Sequence, residues 1–243
     1  MNITTISEYD SLESLESVNK FKSELWKSKC KFLKDHVKEN EFLDVEHTLY
    51  TKKASSFSEF GKIACVSFGL IGYDSDGDKT IQIRSYSGDN EMQILQDSVG
   101  LIEYYCNNSF QLQIMPKLSG FFIKSFGYPF FSKRLLINNV KLPDLFLGMQ
   151  ESKPWEMPIL DIADVWNCNI YNQHSSLEQI SESMYLPQPN EILKTKLDDL
   201  NKIFYKTKGY DFLRNYCEND LSKSINLLCK CNNIDVITNF KNI

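Results

Sequence analysis

Ile63-Ala64-Cys65-Val66-Ser67-Phe68-Gly69-Leu70-Ile71 and Thr80-Ile81-Gln82-Ile83-Arg84-Ser85-Tyr86 are two runs rich in apolar and β-branched residues. Between them lies Tyr73-Asp74-Ser75-Asp76-Gly77-Asp78, which has the composition of a turn. Two such runs around such a segment predict a β-hairpin, and so a sheet at the centre of the fold. The Asp-x-Asp-Gly-Asp spacing also resembles the start of a calcium loop. An EF-hand needs helices on both sides and a bidentate Glu at its twelfth position, whereas strands flank this segment, so it is expected to be a turn.

The pattern on either side is different. Leu12, Leu15, Val18, Phe21, Leu25, Phe32 and Leu33 recur at helical spacing, which predicts a packed helical arm over residues 1–40. From Phe42 the period shortens, and Phe42-Leu43-Asp44-Val45-Glu46 reads as a strand opening a main domain over 41–243. Glu91 to Cys106 is expected to be helical, Gln111 to Leu118 a strand, and Phe121 to Asn138 a helix broken near Gly127-Tyr128-Pro129. Pro143, Pro154 and Pro158 bracket a loop-rich crossing, followed by a short strand over Met157 to Ile162 and helices over 175–185, 190–207 and 209–231. Strands first, then alternating helix and strand, then terminal helices predict an α/β fold: one layered domain carrying an N-terminal helical arm.

Composition narrows the function classes. With 42% apolar and 24% charged residues the chain is neither disordered nor fibrous. The 27 Lys and Arg against 32 Asp and Glu give a net charge of −5, so no global positive field exists to hold nucleic acid or an anionic membrane. A phosphate-binding surface must then be local or metal-mediated. The seven cysteines are an odd number without a Cys-x-x-Cys pair, which predicts reduced thiols in a cytoplasm-like compartment. No apolar stretch approaches the roughly 18 residues needed to span a bilayer, and the first residues lack the pattern of a secretory signal. Abundant Asn, Lys and Ile with few Ala and Arg fits an AT-rich coding sequence of bacterial or phage type.

Two constellations carry chemistry. Asp44 and Glu46, at i and i+2, would share one face of a strand whose other positions are apolar. Like charges on a buried face are costly unless a cation sits between them. Tyr216 and Asp220, at i and i+4, would share one face of a helix. Together they offer three carboxylates and a phenol to a hard divalent cation. Taken singly, an Asp-x-Glu or a Tyr-x-x-x-Asp is common and is usually solvated. His47 would point to the opposite strand face and reads as structural, and His36 and His174 have no partners at ligand spacing.

In order along the chain, these elements resemble the 3′-to-5′ exonucleases related to the proofreading domain of family B DNA polymerases, in the DEDD (DnaQ-like, ribonuclease H-like) superfamily. The resemblance runs from about Glu41 to Cys229. It rests on Phe42-Leu43-Asp44-Val45-Glu46 as the first motif and Ser58-Glu59-Phe60-Gly61-Lys62-Ile63 leading into the next strand. Gly120-Phe121-Phe122-Ile123-Lys124-Ser125-Phe126-Gly127-Tyr128-Pro129-Phe130 stands at the second motif. Lys133-Arg134-Leu135-Leu136-Ile137-Asn138, Lys153-Pro154-Trp155-Glu156, Leu160-Asp161 with Trp166, and Tyr216-Cys217-Glu218-Asn219-Asp220 as the third motif in its tyrosine form complete the series.

The resemblance implies a ribonuclease H-like mixed sheet of about five strands flanked by helices, and two-metal phosphodiester hydrolysis at the 3′ end of single-stranded DNA. Mg²⁺ or Mn²⁺ would be held by Asp44, Glu46 and Asp220, with Tyr216 positioning the attacking water. Lys124 and Arg134 belong to a basic group, with Lys117, Lys133 and Lys153, that would face the strand, although a solvated surface explains them equally well. The second motif departs from the family pattern Gly-His-Asn-Ile-x-x-Phe-Asp-x-Pro-Phe: Phe121 and Phe122 replace the His and Asn, and Gly127 replaces the Asp. One metal site is expected to remain and the second to be weakened. Phe121 and Phe122 either stack on bases or fill a core that polar groups have vacated. Asp161 and Asp164 are weaker candidates for a substitute acid. Two functions follow: an exonuclease of reduced activity, or a catalytically inactive exonuclease-fold module that binds nucleic acid or serves with replication or virion proteins. Either would work in the cytoplasm, that of a host or within a virion if phage-encoded, and away from membranes.

Overall fold

The computed structural model describes residues 1–33, 45–113, 115–153, 155–170, 175–191 and 197–243. The expected hairpin is its backbone. Strands β2 (Gly61–Tyr73) and β3 (Lys79–Ser87) pair antiparallel from Cys65 opposite Ser87 to Tyr73 opposite Lys79. In the turn, Asp74 Oδ1 accepts the backbone N–H groups of Asp76 and Asp78 at 3.0 and 2.9 Å, and Gly77 takes a φ of 84°. The carboxylate therefore closes the turn itself, a local role that Asp fills readily.

The strand on the other side of β2 is formed by the first residues of the chain. β1 (Asn2–Ser7) runs antiparallel to β2, from Asn2 opposite Ser67 to Ser7 opposite Gly61, with an irregularity between Thr4 and Thr5. Ile3, Thr4, Thr5 and Ile6 are β-branched, which suits a pleated, two-sided position. The first forty residues are thus not only a helical arm: a strand of the main sheet precedes helices α1 (Leu12–Val18) and α2 (Lys20–Leu33). Of the strand expected over 42–46, the structure describes Val45 and Glu46, and these are helical. Phe42, Leu43 and Asp44 lie outside the described residues, and Val45 and Glu46 open helix α3 (Val45–Lys53). Val45, Leu49 and Tyr50 are spaced to cover Trp26 of α2, whose ring meets Tyr50, Phe57 and Phe60 at 5.3, 6.2 and 5.0 Å between centroids. That shared core selects helix over strand, because helical spacing puts all three side chains on one face.

Helix α4 (Glu91–Gln111) continues five residues past the expected Cys106, and strand β4 is limited to Leu118–Gly120. A π-helical turn (Ile123–Gly127) leads into α5 (Tyr128–Ile137), with Pro129 in its first turn where no N–H is needed. The loop-rich crossing contains a helix that was not anticipated, α6 (Asp144–Glu151), before β5 (Ile159–Asp161) and the short α7 (Ile162–Trp166). Helices α8 (Leu177–Met184) and α10 (Tyr210–Cys231) follow as expected, while of the helix expected over 190–207 the structure shows α9 (Leu197–Thr207), with Asn190 and Glu191 outside any helix and 192–196 outside the described residues; β6 (Asn239–Asn242), which the sequence did not predict, follows α10.

The main sheet is mixed and four-stranded, in the order β1-β2-β3-β6, with β6 parallel to β3. β4 and β5 form a small parallel sheet. It is held against the start of β1, where the Met1 amino group donates to Ser119 O at 2.6 Å. A side chain at Gly120 would collide with Met1 O, 2.5 Å from an ideal Cβ, so the close approach of the two segments requires glycine there. Ile63 and Val66 of β2 pack with α4, α5 and α6 on one face, while Ile81, Ile83 and Ala64 pack with α9 and α10 on the other. The fold is therefore mixed α/β, with helices on both faces. No helix among the described residues is long and apolar enough to cross a membrane.

Candidate functional site

Helix α10 presents Tyr216 and Asp220 one turn apart, as their spacing predicts. Tyr216 packs partly against the cluster around Ile6, Leu200 and Phe204, and this burial, followed by the nearby Asp220 charge, holds its phenol protonated well above neutrality. The Asp220 side chain keeps about a fifth of its surface, at 21% exposure, and lies 3.6 Å from Lys223 Nζ. Its pKa is raised from 3.8 to about 6, chiefly by burial and further by Glu178 of α8, against the favourable Lys223. The carboxylate thus sits in a place that resists its charge.

Beneath this turn of the helix lies β1. Asn2 Nδ2 donates to Cys217 O at 3.2 Å, the Cys217 thiol donates to Asn2 O at 3.5 Å, and Thr4 lies against the same thiol. The next residues of α10 anchor the loop before α9. Asn190 N donates to Asn219 Oδ1 at 3.0 Å, Asn219 Nδ2 donates to Asn190 O at 2.8 Å, and Asn190 Nδ2 reaches buried Glu218 at 3.4 Å. Asn2 and Thr4 were not candidates in the sequence, since a search for acids passes over a strand that has none.

Glu46 does not join Asp220. It lies on α3, where its carbonyl accepts Trp26 Nε1 at 3.1 Å, and it adds to the raised pKa of Lys27, which stems first from the Lys27 hydrogen bond to Glu16. His47, beside it, pairs with Glu13 at 2.7 Å, while Asp44, His36 and His174 lie outside the described residues. Among the described residues, no three His, Cys, Asp or Glu side chains gather in an arrangement that could hold a metal.

At the second motif, Gly127 is buried, and an ideal Cβ there would lie 2.7 Å from the tip of Ile123. Phe121 packs into the cluster of Ile162, Ile180, Leu186 and Leu227, edge-on to Phe122 at 4.7 Å, so this ring fills a core. Phe122 is half-buried with a left-handed φ of 52°. Arg134 turns inward. It is 3% exposed, its Nε donates to Glu91 Oε1 at 2.9 Å and its Nη1 to Ser58 O at 2.8 Å, so it does not face a nucleic-acid strand. Lys124 Nζ pairs with Asp164 at 3.0 Å on the surface.

Asp161 is a cap. Its Oδ1 accepts Ala163 N at 3.0 Å and its Oδ2 accepts Lys124 N at 2.9 Å, while burial raises its pKa. Asp161→Ala would strip α7 of its N-cap and leave two backbone N–H groups without partners. Equilibrium urea denaturation should show a loss of about 1–2 kcal/mol. An unchanged midpoint would mean that water replaces the carboxylate at no cost.

No protein-family model, curated protein or solved structure matches the chain.

Proposed function

We propose that the protein is a catalytically inactive relative of the DEDD-type 3′-to-5′ exonucleases, a ribonuclease H-like module that works by binding within an assembly. The topology supports the ancestry. An antiparallel β1-β2-β3 meander lies under α10, and the parallel β4–β5 pair meets the start of β1 through Met1 and Ser119. The strand beneath α10, the helix that carries the third motif, is β1.

The observation that carries the loss of hydrolysis is the chemistry of that strand. Asn2-Ile3-Thr4-Thr5-Ile6-Ser7 contains no carboxylate, and what it offers to Cys217 of α10 is an amide and a hydroxyl. Neutral oxygens do not offset the charge of two divalent cations, which two-metal hydrolysis needs held rigidly. With Gly127 at the second motif, the acids left near this site among the described residues are Asp220 and, from α8, Glu178, and Lys223 lies beside Asp220. This donor set does not fit a pair of Mg²⁺ or Mn²⁺ ions. On this reading β1 occupies the place under α10 where acids would be needed, and Glu46 is a half-buried residue of α3.

A 3′-labelled single strand of DNA incubated with the protein in Mg²⁺ and in Mn²⁺ should keep its full length, as it should with Asp220→Asn. Shortening by the parent that disappears in Asp220→Asn or in Asp44→Ala would overturn the proposal in favour of an active exonuclease. Isothermal titration of Mn²⁺ should give no heat with the parent. The triple variant Asn2→Asp/Thr4→Glu/Gly127→Asp should gain a binding isotherm.

A further inference from the structure

β2 is longer than the strand beside it. Pairing with β1 ends at Asn2 opposite Ser67, yet β2 continues to Tyr73, and among the described residues Phe68–Tyr73 pair with β3 alone. No strand among the described residues covers the other backbone edge of this segment, and Leu70, Ile71 and Tyr73 are 41%, 49% and 67% exposed. An open apolar edge adds a further strand readily, and proteins normally cover such edges or place charge on them.

The edge opens into a groove. Phe68 to Ile71 form part of a hollow of about 350 Å³, walled by Ile102 and Tyr105 of α4 and by Leu221 and Leu228 of α10. Through Cys106, Lys117 and Leu145 this hollow continues into a second of about 710 Å³. There Phe110, Met115 and Trp155 stand 60%, 67% and 78% exposed. Among the described residues the charged groups lining the two hollows are Glu103, Asp144 and Glu156 with Lys117, and Lys153 stands beside Glu156 at 3.9 Å and over the Trp155 ring. Glu103 and Asp144 act together near the middle, where, after burial, they are what raises the Cys106 thiol.

We infer that this groove binds an extended, apolar segment of a partner protein that carries Lys or Arg, added as a strand to the open edge of β2. The edge sets the backbone conformation, since alternating N–H and C=O groups are satisfied by another extended chain. The exposed rings supply anchor positions of the kind that dominate interface energetics. The carboxylates set the charge: they attract basic side chains and repel phosphates, so a nucleic-acid strand is disfavoured in the same groove. The inference goes beyond the absence of hydrolysis, since the groove is built from residues other than Asp220 and Tyr216, and the nuclease assay reads out separately.

The test is selection of random dodecapeptides displayed on phage against the full chain, with synthetic copies of the winners measured by fluorescence polarisation and hydrogen–deuterium exchange. The expected winners are apolar with Lys or Arg, slow amide exchange over Phe68–Tyr73, and weaken by about tenfold or more against the surface variant Glu103→Lys/Asp144→Lys, which is about 1.4 kcal/mol. Trp155→Ala should weaken them as well. No enrichment over an immobilised control protein, or undiminished affinity for the charge-reversed variant, would overturn the inference. So would protection of Phe68–Tyr73 by oligothymidylate, or protection that rises with protein concentration alone, which would identify a second copy as the occupant.

Discussion

Arg134→Leu should destabilise the fold by about 3–5 kcal/mol, read as a fall in melting temperature of roughly 6–20 °C for a chain of this size. Arg134 and Glu91 are both buried, and the contacts of the pair tie α5 and the start of α4 to the approach and first residues of β2. Arg134 of α5 meets Glu91 at the start of α4 and Ser58 O in the loop before β2. Glu91 Oε1 also accepts Ile63 N of β2 at 2.7 Å, and Asn138 Nδ2 donates to Oε2 at 3.1 Å. Removing the guanidinium leaves a carboxylate in a dry site with two neutral donors, and an unpaired buried charge is far more costly than a missing pair. For the same reason the double variant Arg134→Leu/Glu91→Leu should recover part of the loss, the remainder reflecting the orphaned Ile63 N–H and Ser58 O. If the single variant melts within a degree or two of the parent, water enters the site and the pair does not bridge these elements energetically.

Asp220→Asn should make the protein more stable above neutral pH and leave it unchanged well below pH 3.8. The folded-state pKa of Asp220 lies near 6, above the unfolded value of 3.8. Below the lower value both states are protonated and the residue contributes nothing. As pH rises the unfolded chain releases its proton first, so stability falls progressively until the folded carboxyl also ionises near 6. About two pH units at ~1.4 kcal/mol each, reduced for the fifth of the side chain open to water, gives a loss on the order of 2 kcal/mol. The groups around it are Glu178 from α8, which adds to the shift, and Lys223 on its own helix, which opposes it. Denaturation curves at pH 4, 5, 6, 7 and 8 for parent and variant give the difference directly. A difference that does not change with pH would show that the Asp220 carboxyl ionises as freely in the fold as out of it.

The local features of this fold are legible in the sequence. The hairpin follows from two β-rich runs and a turn that Asp74 and Gly77 close by themselves. The break at Gly127-Tyr128-Pro129 and the helix with Tyr216 and Asp220 on one face likewise depend on neighbours within one or two turns. β1 is not legible as a strand because its six residues precede a long helical pattern, and its place beside β2 depends on pairing with residues some sixty positions later. α3 was hidden because Val45, Leu49 and Tyr50 take their meaning from Trp26 of α2. Arg134 follows Lys133 in a segment that looks like basic surface, and only Glu91, 43 residues earlier, shows why it is buried.

The sequence by itself determined the class of elements, the sites of their turns and breaks, and the identity of the acid and phenol on α10, because periodicity and turn chemistry act over a few residues. The tertiary structure decided which groups lie together: Asn2 under α10, Glu46 on α3 away from Asp220, Arg134 inside, and a groove with three carboxylates at the end of β2. Proximity of charges and burial of side chains arise from contacts between residues far apart in the chain, and no short window of sequence contains both partners.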